Sequence, residues 1–128
     1  MRMRRADWQF PAEPRTVGTA RREVARSLPG LVGESRDVVL LLTSELVTNA
    51  VRYSTGPVGV RLTWDDAHLR IDVSDPSQER PVVRSVDQTA VRGRGLMLVE
   101  ALAHSWGVDV QQVGKSVWFT LDTRPGAG

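Results

Sequence analysis

The sequence has no cysteine, a single lysine (Lys115), a single tyrosine (Tyr53) and two phenylalanines in 128 residues. Without cysteine there is no disulfide framework, no thiolate metal site and no cysteine nucleophile. Apolar residues never run to the length of about 18 that a membrane-spanning helix requires. The opening Met1-Arg2-Met3-Arg4-Arg5 is basic, but Asp7-Trp8-Gln9 stands where a signal peptide's apolar stretch belongs, so the expectation is a cytoplasmic protein. Two separated histidines, His68 and His104, make no metal site. Seventeen basic against fifteen acidic residues leave a net charge of only +2, too little to argue for nucleic acid or membrane binding. All but one of the basic residues are arginine, which stays protonated to very high pH and lifts the isoelectric point. What the chain does have is 41% hydrophobic residues, enough for a packed core and too many for disorder. Its length suits one domain over 1–128, with a basic arm at 1–13, a core at about 14–122 and a short tail at 123–128.

Hydrophobic periodicity orders the chain. A short strand, Asp7 to Phe10, precedes Pro11 and Pro14. Val17, Ala20, Val24 and Leu28 then recur at helical spacing, with Arg21, Arg22 and Arg26 on the outer faces, until Pro29-Gly30. A longer helix runs from about Glu34 to Tyr53 and stops at Ser54-Thr55-Gly56-Pro57. Val58, Val60, Leu62 and Trp64 share one strand face, and Leu69, Ile71 and Val73 share the next. Asp65-Asp66-Ala67-His68 joins the two as a hairpin loop. Residues 76–92 fit neither period, as expected of a functional lid or a disordered stretch. Gly93-Arg94-Gly95 opens a third helix, with Leu96, Val99, Leu102 and Ala103 on one face. A last hairpin pairs Trp106–Val110 with a strand in which Val117, Phe119 and Leu121 alternate with Trp118 and Thr120. The order β-α-α-β-β-lid-α-β-β describes an α+β two-layer sandwich, its sheet mixed but mostly antiparallel, with helices on one face.

Three places in this frame carry chemistry. Glu45 and Asn49 stack one turn apart beside the buried stripe Leu42, Leu46 and Ala50. A carboxylate at such a border loses solvation and gains strength as a base, and an amide oxygen beside it suits a magnesium ion that keeps most of its waters. The same pair equally fits a solvated helix border, and spacing alone favours that reading. Asp75 continues the inward face of Leu69, Ile71 and Val73, where it would accept a hydrogen bond from a ligand; Asp-Pro-Ser is also ordinary Asx-turn chemistry. Arg92-Gly93-Arg94-Gly95-Leu96 brings free N–H groups and charge to a helix N-terminus, a setting for phosphate, although two glycines before a helix are also a plain loop. Gly114-Lys115-Ser116 is not a phosphate loop, because it lacks the preceding spaced glycine and enters a strand; it reads as a hairpin turn. Ser44 and Ser105 lack any His–Asp arrangement. Trp8, Trp64, Trp106 and Trp118 all fall on strands, in core or interface positions, Trp106 and Trp118 as candidates to bury together. The scattered arginines make no nucleic-acid motif.

Taken in order, these segments resemble one family. Leu42-Thr43-Ser44-Glu45-Leu46-Val47-Thr48-Asn49-Ala50-Val51-Arg52-Tyr53 is similar to the N-box helix of the histidine-kinase-like (Bergerat fold) ATPases. Asp72-Val73-Ser74-Asp75 resembles the following box, Gly93-Arg94-Gly95-Leu96 the glycine box, and Gly114-Lys115-Ser116-Val117-Trp118-Phe119 the final-strand signature. The nearest branch is the small anti-sigma factor serine/threonine kinases, and the resemblance spans about residues 14–122. It implies that Asn49 ligates Mg²⁺ bridging the phosphates of ATP, and that Glu45 is the catalytic base. It also implies that Asp75 accepts from the adenine amino group with Ser116 assisting, and that Gly93, Arg94, Gly95 and Leu96 surround the phosphates while Arg92 adds charge. One departure is plain: the family's box reads Asp-x-Gly, whereas Asp75-Pro76-Ser77 has no glycine and so loses easy access to positive φ.

By that resemblance the protein is a cytoplasmic, dimeric regulator that binds a sigma factor and phosphorylates an anti-sigma-antagonist on serine, with no direct nucleic acid or membrane partner. Two other readings remain: a nucleotide-dependent binding module without transferase activity, and a degenerate scaffold that recognises a protein or nucleic acid through its arginines, with no nucleotide.

Overall fold

The computed structural model describes residues 2–54, 56–76 and 92–123, of which 92–95 are described by backbone only. Among these residues the chain forms β1 (Arg4–Phe10), α1 (Arg15–Ser27), α2 (Gly33–Tyr53), β2 (Val58–Trp64), β3 (His68–Asp75), α3 (Arg92–Leu102), β4 (Ser105–Val110) and β5 (Lys115–Asp122). The five strands make one sheet in the order β1-β2-β3-β5-β4, and the helices supply the second layer of an α+β sandwich. The expected lid at 76–92 lies almost wholly outside the described residues.

Each helix starts and stops for a local reason. Pro11 and Pro14 precede α1, and the Thr16 hydroxyl donates to the Pro11 carbonyl at 2.5 Å, holding the chain's entry into the first turn. Its buried stripe is Thr16, Ala20 and Val24, and the backbone N–H of Leu28 closes the last turn on Ala25. In α2 the buried residues include Val39, Leu42, Leu46, Val47 and Ala50. The buried Thr43 hydroxyl donates to the Val39 carbonyl and Ser44 to the Leu40 carbonyl, so both hydroxyls are spent inside their own helix. Leu42, Leu46 and Val47 meet Val58, Val60, Leu62, Ile71 and Phe119 of the sheet, with Leu96 and Val99 from α3, in one contiguous core.

Every described strand pairing is antiparallel, in line with the expected mostly antiparallel sheet and without its mixed part. Two helices in series connect β1 to β2, taking the chain away from one end of the sheet and returning it there. Phe10 therefore lies opposite Val58 and the strands run in opposite directions. β3 and β4 are parallel to each other, but β5 lies between them.

Three local expectations need correction. The first strand begins at Arg4, not Asp7, so part of the supposed arm is an edge strand. Asp7 holds it in place by bonding Arg5 on its own strand and Arg61 across the pair, each at 2.7 Å. Leu102 does not share the buried face of α3 but is 41% exposed; at about 100° per residue it sits roughly 120° around the helix from Leu96. Trp106 and Trp118 do not bury together. Trp106 stands opposite Phe119 while Trp118 stands opposite Gly107, and this one-residue offset puts the indoles on opposite faces.

Candidate functional site

The topology gathers the singled-out residues at one end of the sheet. Gly59 pairs with Ser74, so β2 begins where β3 finishes. A short turn joins the end of α2 to β2, which brings the last turns of α2, carrying Glu45 and Asn49, to the end marked by Asp75. The fit there is direct, since a side chain added at Gly56 would run into the ring of Pro76. Ser105 pairs with Thr120 at the far end, and α3 ends just before it. The N-terminus of α3 therefore faces the Asp75 end. Glu45 and Asn49 are half-buried on the rim of α2, beside fully or nearly fully buried Leu42 and Leu46.

Asp75 lies where the strand alternation puts it, as the fourth buried residue of β3 after Leu69, Ile71 and Val73. Its neighbour across the sheet is Lys115. The Lys115 Nζ donates to Asp75 Oδ1 at 3.2 Å, with the two side chains only 7% and 6% exposed. Carbonyl packing tightens the corner further. Gly114 has φ +85°, and a side chain there would strike the Asp75 carbonyl oxygen, so glycine is required twice over. The turn itself closes through the Gln111 N–H, which donates to the Gly114 carbonyl at 3.0 Å.

The remaining positions divide. Arg92, Gly93, Arg94 and Gly95 form the first turn of α3, within the helix instead of ahead of it. The charge and contacts expected of their side chains lie outside the described residues. Leu96 is fully buried in the core, so only its backbone is placed to meet a ligand. Ser116 is not brought to Asp75. It pairs with Ser74 and Asp109 and opens onto the outer face, one residue out of phase with the inward Asp75–Lys115 pair. Lys115 is the residue that sequence reasoning passed over. The signal was available: Lys115 has the same parity as Val117, Phe119 and Leu121, and the strand period places it inward.

The outer face is chemically different. A recess of about 460 Å³ there is lined by Asp7, Gln9, Arg61, Arg70, Asp72 and Ser116, among others, and its charges answer one another. Arg70 donates twice to Asp72 at 2.9 Å and lies 4.3 Å above the Trp118 ring. Hydrogen bonds from Arg61 and then Arg5 hold the Asp7 carboxyl below its ordinary range. Such a lattice of exposed pairs describes a solvated sheet face.

A family model of the histidine kinase-like ATPase domain matches residues 10–121. The chain belongs to this family. No curated protein matches it. The family is one of ATP-binding domains, and the donor set at the Asp75 end suits that ligand. It offers a carboxylate facing inward for a base, a helix N-terminus for phosphate, and a carboxylate and an amide oxygen side by side on α2. Among the described residues no three His, Asp or Glu side chains cluster as a metal cage. The Asn49 amide oxygen is a donor that could hold a magnesium ion which keeps most of its waters. The site departs from the expectation here too, because its aspartate comes already paired with an ammonium group. No helix among the described residues is long and apolar enough to cross a membrane.

Proposed function

We propose that the protein is an ATP-dependent serine/threonine kinase of the anti-sigma type, which phosphorylates an anti-sigma-antagonist and sequesters a sigma factor in a partner-switching pathway. The observation that carries this reading is the placement of Glu45 and Asn49, one turn apart on the half-buried rim of α2, at the end of the sheet where Asp75 and the first turn of α3 converge. A binding module needs the amide, the aspartate and the helix terminus; a transferase also needs a base, and the reading gives that role to Glu45.

In this reading Asn49 would hold Mg²⁺, which supplies charge neutralisation at the phosphates. The serine hydroxyl of the antagonist gives its proton to Glu45 as its oxygen bonds the γ-phosphorus, and the bond from that phosphorus to the ADP oxygen breaks. Positioning and charge neutralisation carry most of such a transfer. The added phosphate then weakens the antagonist's interface by repulsion and desolvation. A homodimer with a cytoplasmic location completes the proposal.

The test is transfer of label from γ-labelled ATP to candidate antagonist domains of the same genome. Wild type should place phosphoserine on one of them, and Glu45→Ala should lose transfer by 10²-fold or more, in the range of general-base removal, with ATP affinity nearly unchanged. Regulation that persists in Glu45→Ala, with no phosphoserine formed by wild type, would replace the kinase with the ATP-dependent binding module.

A further inference from the structure

Lys115 is the only lysine in the sequence, and the fold buries it. Its ammonium group is held against Asp75 at 3.2 Å on the inward face, at the position where the ATP reading places the base. Taking an ammonium out of water is costly unless it is partnered, and a merely structural role for a strand-end residue is filled more cheaply by an apolar one. Ser116, the hydroxyl expected to assist Asp75, lies on the opposite face. The group beside the carboxylate is therefore one that can only donate, where a hydroxyl both donates and accepts.

We propose that Lys115 is a base-reading residue. Together with Asp75 it presents an acceptor and a donor side by side, matched to a base edge that carries a donor and an acceptor side by side. Adenine's amino group and ring N1 form such an edge: Asp75 accepts from the amino group and Lys115 donates to N1. In a site shielded from water, both are hydrogen bonds to charged groups, and losing one leaves a buried charge unmatched. The proposal rests on the ATP reading and adds to it a specificity element on β5, Lys115, which the resemblance did not assign.

The decisive comparison is ATP against 1-deaza-ATP, which keeps the amino group and lacks the N1 acceptor. Calorimetry on wild type should show 1-deaza-ATP binding about tenfold or more weakly than ATP, as expected for a lost bond to a charged donor. In Lys115→Met the two ligands should bind within about twofold of each other. Because that variant risks its fold, the lysine also serves as its own probe. Protein labelled with ¹³C at the lysine ε-carbon has one such signal, and ATP should shift it more than 1-deaza-ATP at matched saturation. Equal affinity of wild type for the two ligands, or discrimination that survives in a folded Lys115→Met, overturns the role of Lys115 while leaving the ATP site standing. Failure of both ligands to bind wild type at millimolar concentration removes the ATP reading and this role together.

Discussion

β3 is bracketed by two aspartates whose settings are opposite. Asp65, in the hairpin before it, accepts hydrogen bonds from the backbone N–H groups of Ala67 and His68, both at 2.8 Å. It is satisfied within three residues of itself and shapes a turn. Asp75, at the other end, is buried and meets an ammonium that arrives from β5, forty positions along the chain. The same residue type beside a loop is thus turn chemistry in one place and part of a candidate ligand site in the other. The difference lies in where the partner comes from: a carboxylate answered by its own loop needs nothing further, whereas one facing inward draws on distant groups.

Breaking the Asp75 side should have the largest effect. Lys115→Met removes the ammonium from the buried Asp75 carboxylate and should cost about 3 kcal/mol, in the range measured when one partner of a buried pair is removed. Urea unfolding would show this, and Asp75→Asn/Lys115→Met should recover much of the loss. Recovery by no more than either single change would mean that the two groups are not coupled. Gly114→Ala comes next, at about 2–3 kcal/mol, because a positive φ and the Asp75 carbonyl both oppose a side chain. Gly107→Ala tests the outer face. Its Cβ would come within 2.6 Å of the Trp118 ring, so the indole must shift away from Arg70. We expect a loss of about 1 kcal/mol, the scale of an exposed cation–π contact, with a change in tryptophan emission.

The smallest effect belongs to Asp65. The Ala67 and then the His68 N–H hydrogen bonds lower its pKa. A depressed carboxylate contributes stability that is present above its unfolded pKa and is lost as pH falls through the folded one. Melting temperatures of wild type and Asp65→Asn should therefore differ modestly near neutral pH and converge on acidification below the ordinary carboxylate range. A difference that is independent of pH would assign the turn's stability to something other than the charge.

Much of this architecture was legible because period and punctuation agree. Alternation in β2, β3 and β5 and the 3.6-residue stripe of α2 fix which faces are buried, and Gly/Pro clusters mark most of the boundaries. β1 was read short because an edge strand needs little apolar alternation, and cross-strand pairs such as Asp7–Arg61 can stabilise it instead. The inward placement of Asp75 followed from strand parity alone. Its partner did not, because Lys115 sits beside a turn glycine in a Gly-Lys-Ser run that reads as loop. The same parity separates Ser116 from Asp75 and divides Trp106 from Trp118 between the two faces.

The Asp75 end of the sheet, with α2 beside it, is proposed as the ATP site. The most direct measurement is a calorimetric titration of the protein with ATP, with and without Mg²⁺, alongside Asn49→Ala. Saturable one-site binding that weakens without magnesium and in the variant is the expected result. Binding indifferent to both, or no heat at millimolar ATP, would contradict it.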